Sequence, residues 1–160
     1  MADEPAPEPP RFDAASRETF RALLKWRRDV RRFRKDAPPA GLLRELIDLV
    51  CLAPSVGNSQ PWRFVTVNAG DRRAAIRDNF EACNRASLAD YSGERAGIYA
   101  RLKLAGLEEA PVHLAVFVDS ATTTGQGLGR RTMPESLSYS VVAAVHTLWL
   151  AARAHGLGVG

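Results

Sequence analysis

At 160 residues the chain is long enough for one domain with a real core, and its 46% hydrophobic and 25% charged residues are those of a soluble globular protein rather than a disordered one. Net charge is +4, unevenly spread: residues 1–13 hold Asp3, Glu4, Glu8 and Asp13 against Arg11, a net of −3, so the remainder carries +7. A basic body attracts phosphate ligands, nucleic acid or acidic surfaces, and charge alone does not choose among them.

Residues 1–14, with Pro5, Pro7, Pro9 and Pro10, cannot hold a helix and read as a disordered acidic tail ahead of a single domain at 15–160. Such an N-terminus is the reverse of a secretory signal, and no window has the apolar length of a membrane span, so no membrane partner and a cytoplasmic location are expected. Ser16 can cap a first helix whose apolar residues Phe20, Leu23 and Leu24 recur at helical spacing. A second helix is predicted from Asp36 and Pro38-Pro39, with Leu42, Leu43, Leu46, Ile47 and Val50 on one face, ending at Pro54. Trp62 to Val67 alternates as a strand. Asp71 opens a third helix through Ile76 and Phe80. Residues 84–97, including Tyr91, are polar and aperiodic, as in a lid, and a short helix from Ile98 to Glu109 stops before Pro111.

Val112 to Val118 is nearly continuous apolar sequence, the pattern of a strand covered on both faces. Thr132 and Glu135 have capping-box spacing ahead of a long helix, Leu137 to Ala154, closed by Gly156. That helix is apolar around most of its circumference, which predicts burial in a core or between subunits. Leu157 to Gly160 reads as a strand just beginning, so the expectation is a chain truncated at its C-terminus.

Trp26-Arg27-Arg28-Asp29-Val30-Arg31-Arg32-Phe33-Arg34 packs five arginines around one carboxylate. Like charges this close require an anion or much water, and guanidinium forks match phosphate oxygens. Helix-end chemistry accounts for some of the same pattern. Asp29 is either an ion-pair partner of Arg28 or Arg31, or the group in this cluster that accepts a proton. Pro54-Ser55-Val56-Gly57-Asn58-Ser59-Gln60-Pro61-Trp62 sets hydroxyls and amides between two stiffening prolines, suited to a polar heteroaromatic edge or to turning the chain.

The remaining candidates are weaker. Gly125, Gly127 and Gly129 lack the spacing of a dinucleotide or P-loop and read as a loop shaping a cavity. His113, His146 and His155 show no metal-ligand spacing, and the first two are expected to be packed and hydrogen-bonded. Cys51 and Cys83 form no CxxC pair and are expected to be reduced, half-buried thiols in a reducing compartment. Trp62 and Trp149 read as core or interface residues. The basic run has little aromatic interleaving, which argues against a nucleic-acid partner.

Arg-Arg-x-x-Arg-x-Phe followed by Ala-Pro-Ser-Val-Gly-Asn-Ser-Gln-Pro-Trp resembles the FMN-dependent nitroreductase superfamily. Tyr99 to Leu107 running to Ala110-Pro111-Val112, and Gly125 to Glu135, extend the likeness to its 5,6-dimethylbenzimidazole synthase branch, over about residues 16–160. The resemblance implies an α+β fold, a nitroreductase-like mixed sheet flanked by helices, working as a homodimer with FMN at the interface. It implies that Arg27, Arg28, Asp29, Val30 and Arg31 hold the FMN phosphate and ribityl chain. Ser55, Asn58 and Gln60 would lie beside the isoalloxazine, and Lys103 and Leu104 would touch the flavin. Asp29, where ordinary nitroreductases usually carry a small hydroxyl residue, is implied to be the catalytic base.

The implied reaction consumes reduced FMN as substrate with O2 as co-substrate, a separate flavin reductase supplying the reduced flavin. It releases 5,6-dimethylbenzimidazole, the lower ligand of cobalamin, and a four-carbon sugar phosphate. A second catalytic residue of the family, a serine, falls beyond residue 160. A nicotinamide-dependent FMN nitroreductase or dehalogenase, a nucleic-acid binder and an inert fragment are the competing readings.

Overall fold

The structure, a computed structural model, describes residues 8–88, 106–130 and 132–160. Helix α1 (Ala14–Trp26) is capped by Asp13, not Ser16: the Asp13 carboxylate accepts from the Ser16 backbone N–H at 2.8 Å and from its hydroxyl at 2.7 Å. The acidic side chain three residues earlier wins because it satisfies an orphan N–H at the positive end of the helix. Helix α2 (Leu42–Val50) starts later than Asp36, because Gly41 at φ 85° breaks any helical run from the prolines.

Strand β1 (Trp62–Thr66) and strand β2 (Leu114–Val118) pair antiparallel, Trp62 opposite Val118 and Thr66 opposite Leu114. Helix α3 (Gly70–Leu88) runs on through the first residues of the expected lid, and 106–109 form a helical turn. The rest of that lid, with Tyr91, and the start of the helix expected from Ile98 lie outside the described residues. Helix α4 (Ser136–Ala154) follows a turn rather than a capping box. Glu135 is already in helical conformation, and Thr132 Oγ1 turns back to the Gly129 carbonyl at 3.4 Å. Gly156 at φ 78° closes α4, with the Leu157 N–H bonded to the Ala152 carbonyl at 2.8 Å.

The core lies between α2, α4 and the sheet. Leu46 and Val50 of α2 meet Val141, Ala144, Leu148 and Ala152 of α4, with Ala53 and Trp62 closing the end. Both series follow the three- and four-residue spacing that keeps one helix face in register with its neighbour. Val50 and Ala144 are fully buried, the small alanine letting the two helices approach closely.

The sheet departs from expectation. Val116, Phe117 and Val118 are exposed, Phe117 at 56%, so β2 is not covered on both faces within these residues. Val112 to Ala115 are partly buried, so exposure is confined to the last three residues of the run. The α1 stripe Phe20, Leu24 and Trp26 is also exposed. At the C-terminus the incipient strand does pair: Val159 forms an isolated parallel bridge with Asp29, adding a parallel contact to an otherwise antiparallel arrangement.

Candidate functional site

The arginine cluster leaves α1 as extended chain and is fixed by Val159. Arg27 ends the helix with its N–H on the Leu23 carbonyl at 2.9 Å, and its guanidinium lies 4.9 Å from the centre of the Trp149 ring. The Val159 carbonyl accepts twice, from the Val30 N–H at 3.0 Å and from Trp149 Nε1 at 2.9 Å. One carbonyl thus ties the arginine segment to α4. Asp29 pairs with Arg31, as one of its two sequence readings expected; both side chains keep water contact, at 43% and 28% exposure. Arg28 is exposed, its guanidinium donating to the Arg27 carbonyl at 3.1 Å. Arg32 pairs with Glu109 at 2.8 Å and Arg34 with Asp36 at 2.8 Å.

The second group is the 55–60 loop. Ser55 Oγ accepts from the Gln60 N–H at 3.0 Å, and the Gln60 side-chain amide donates to the Cys51 carbonyl at 3.1 Å. The Val56 N–H is held by Ser140 Oγ of α4 at 3.0 Å. The Gly125–Gly129 loop packs directly on it. Gly57 lies so near Gly125 that a Cβ on the latter would sit 2.5 Å from the Gly57 carbonyl oxygen. Asn58, Gln60 and Gln126, at φ 52°, 42° and 53°, are the non-glycine residues with positive φ among the described residues, and all belong to these two loops. Strain of this kind persists where surrounding structure over-determines it, and it gathers at binding sites. The buried Ser59 hydroxyl has no hydrogen-bond partner among the described residues.

Both groups therefore stand on α4, but at different heights. Val56 docks at Ser140 and Arg27 at Trp149, nine residues along, or about 14 Å of helix axis. Lys103 and Leu104 lie outside the described residues. Val30, Arg31 and Phe33 also border a largely apolar cleft of about 740 Å³, whose walls include β2, Leu148 of α4 and the terminal Gly158–Gly160.

Other candidates are corrected. His146 is exposed, not packed, because it points from the outer face of α4. His113 lines the cleft with its Nε2 buried and without a hydrogen-bond partner among the described residues. Burial, and then the Arg73 charge, hold it below the ordinary histidine range. Both cysteines are exposed rather than half-buried, without a disulfide. Among the described residues no cluster of histidine, cysteine or acidic side chains can hold a metal ion, and no helix is long and apolar enough to cross a membrane.

One residue escaped the sequence reading. Glu109 reaches back across 76 positions to accept the Phe33 N–H at 3.1 Å as well as the Arg32 guanidinium. The signal available was its place at the end of a helical turn, where the backbone dipole disfavours a carboxylate unless cations answer it.

Comparison with known proteins follows the same residues. The model of the nitroreductase family matches residues 24–160. A 5,6-dimethylbenzimidazole synthase of Rhodospirillum rubrum is 59% identical over 94% of this chain and 72% of its own length. One of Rhodobacter capsulatus is 45% identical over 93% of this chain and 72% of its own. Among solved structures, an oxidized iodotyrosine deiodinase bound to FMN and 3-iodo-L-tyrosine superposes with a TM-score of 0.68 at 31% identity, over 86% of this chain and 71% of that one.

Proposed function

The chain belongs to the nitroreductase family, and from that premise we propose that it acts as a 5,6-dimethylbenzimidazole synthase, converting reduced FMN and O2 to the benzimidazole, a four-carbon sugar phosphate and a third, oxygenated fragment that carries the remaining pyrimidine-ring atoms of the flavin. The observation that carries this reading is Asp29, a half-exposed carboxylate held by Arg31 in a segment of arginines. In it a proton acceptor and phosphate-binding forks share one short stretch of chain. The 59% identity to the Rhodospirillum rubrum synthase supports the benzimidazole-forming branch over the dehalogenase likeness at 31%.

The residues present fit FMN. Arg27, Arg28 and Arg31 offer planar donors to the phosphate and ribityl oxygens, with the Val30 backbone beside them. Ser55, Asn58 and Gln60 present hydroxyl and amide groups from a strained loop, suited to the polar edge of the isoalloxazine, and the Ser59 hydroxyl, without a partner among the described residues, adds a buried donor. Lys103 and Leu104 are assigned further flavin contacts on the family pattern. Bound reduced FMN supplies both the electrons taken up by O2 and the carbon skeleton that is cleaved. Asp29 Oδ would take the proton from the ribityl carbon attached to the ring, with Arg31 keeping that carboxylate oriented.

The reading includes a homodimer in which the arginine segment of one copy and the 55–60 loop of another face a common flavin, as the family resemblance implies. A separate flavin reductase supplies reduced FMN, and the cytoplasm is its compartment.

The test is aerobic incubation with enzymatically reduced FMN, followed by mass analysis of the small molecules. The expected result is 5,6-dimethylbenzimidazole from the unaltered protein and none from Asp29→Ser. Recovery of intact FMN with turnover of a nitroaromatic selects a nicotinamide-dependent nitroreductase instead. Undiminished benzimidazole from Asp29→Ser removes the base role.

A further inference from the structure

We infer that Glu109 is a positioning residue for phosphate recognition, fixing the backbone that presents Arg31; this rests on the FMN reading above. The arginine segment is pinned at two points. On its N-terminal side the Val30 N–H bonds the Val159 carbonyl at 3.0 Å, and on its C-terminal side the Phe33 N–H bonds Glu109 Oε2 at 3.1 Å. Only Arg31 and Arg32 lie between the pins. Arg32 is answered by Glu109 Oε1 at 2.8 Å and its side chain is 70% exposed, whereas that of Arg31 is 28% exposed. The two pins therefore set the path from which the more enclosed guanidinium projects.

Glu109 suits this task because it is itself held. It ends the helical turn 106–109, and its side chain is only 22% exposed. The turn packs tightly on the segment: a Cβ on Gly106 would come within 3.3 Å of the Phe33 ring. The Phe33 N–H first, and then the Arg32 guanidinium, keep the Glu109 carboxyl below its ordinary range, so it stays an acceptor at any neutral pH. Next to it, Arg73 donates to the carbonyls of Ala110 at 3.3 Å, Pro111 at 3.0 Å and Val67 at 2.8 Å, bracing the chain between this turn and β2. A binding group held in place before its ligand arrives loses less freedom on binding, which is where such a pin acts.

The experiment compares the affinities of oxidised FMN and riboflavin, read by quenching of flavin fluorescence, in four variants. The two ligands differ by the phosphate alone. Glu109→Ala is expected to weaken FMN by about tenfold while riboflavin changes by less than about twofold, since the lost contact acts on phosphate recognition. A purely structural role would weaken both equally.

Glu109→Gln keeps an oxygen for the Phe33 N–H without the charge, and Glu109→Asp keeps the charge one methylene short. The FMN preference should survive in Gln and fall in Asp, a pair that serves also if Glu109→Ala does not fold. Equal loss for both ligands, no loss for either, or survival in Asp with loss in Gln overturns the inference. Arg31→Ala is the control for the reading beneath it. If Arg31→Ala abolishes the FMN preference and the Glu109 variants do not, the pin alone fails; if Arg31→Ala leaves the preference intact, the arginine site itself is wrong.

Discussion

Replacing Gly125 by alanine tests whether the 55–60 loop is held in its strained shape by the loop packed against it. Two costs arise at that position. The first is conformational: at φ 77° an L-residue pays about 1–2 kcal/mol for the left-handed region. The second is steric: the new Cβ would lie 2.5 Å from the Gly57 oxygen, 3.2 Å from its carbonyl carbon and 3.3 Å from Ser59 Cβ. Two of these atoms are backbone and cannot swing aside, so the loops must separate, at about 1–3 kcal/mol as for overpacking elsewhere. Gly156 isolates the first cost, because it has φ 78° and nothing within 4 Å of its missing Cβ. Both substitutions restrict the unfolded chain alike, so that contribution cancels in their difference. Urea denaturation should therefore place Gly125→Ala about 1–3 kcal/mol below Gly156→Ala at equal m-value, and flavin affinity should fall in Gly125→Ala alone. Equal midpoints for the two variants would mean that the loops do not bear on each other, and the strain argument for Asn58 and Gln60 would go with them.

Other expectations follow from single contacts. Trp149→Phe keeps a ring beneath Arg27 but removes the N–H to Val159, and because that carbonyl retains the Val30 N–H the loss should be about 1 kcal/mol in chemical denaturation. Asp29→Asn should lower benzimidazole yield by about 10²–10⁴-fold, the usual span for a general base, with FMN affinity changed far less; mass-spectrometric product counts and flavin titration separate the two. His113 sits below its ordinary value near 6.5 in the fold, so the unfolded chain takes up the proton first as pH falls. Stability is then full above about pH 6.5 and declines below it, and thermal melts from pH 8 to 5 should show that decline in the native protein and a flatter profile in His113→Leu.

Much of this arrangement could be read along the chain. Helix α4, its closing Gly156, the apolar face of α2 and the 62–66 strand are local patterns, and local patterns survive folding when packing agrees with them. The failures have physical causes of the same kind. Ser16 and Asp13 compete for one cap, and the stronger acceptor lies outside the helix that periodicity defines. Thr132 and Glu135 have the spacing of a capping box, but the turn through Pro134 leaves Glu135 helical and Thr132 bonded backwards. β2 carries an apolar run whose cover is not supplied by the described residues, so its composition foretold burial that these residues do not provide. At the candidate site the arginines and the polar loop were legible as chemistry, and the Asp29–Arg31 pair as one of two options. The clasp from Glu109 was not, because nothing in a local window links positions 33 and 109.

The architecture also sets how far apart the two candidate recognition elements stand. Each element is tied to α4 by one polar contact from the helix, Ser140 Oγ to the Val56 N–H and Trp149 Nε1 to the Val159 carbonyl, and Val141, Ala144, Leu148 and Ala152 of the same helix pack into the buried core. A rigid core helix fixes the separation of the two elements, and neither needs the other to be ordered. Damage at one end should then leave the other intact: Ser140→Ala frees the Val56 N–H and loosens the 55–60 loop, yet leaves Arg27 on Trp149 and the Val30 pin unchanged. Phosphate-dependent affinity, measured as the ratio of FMN to riboflavin binding, should hold in Ser140→Ala even as both affinities fall. A drop in that ratio would show that the two elements communicate through the chain, and the separation along α4 would no longer account for how the site is divided.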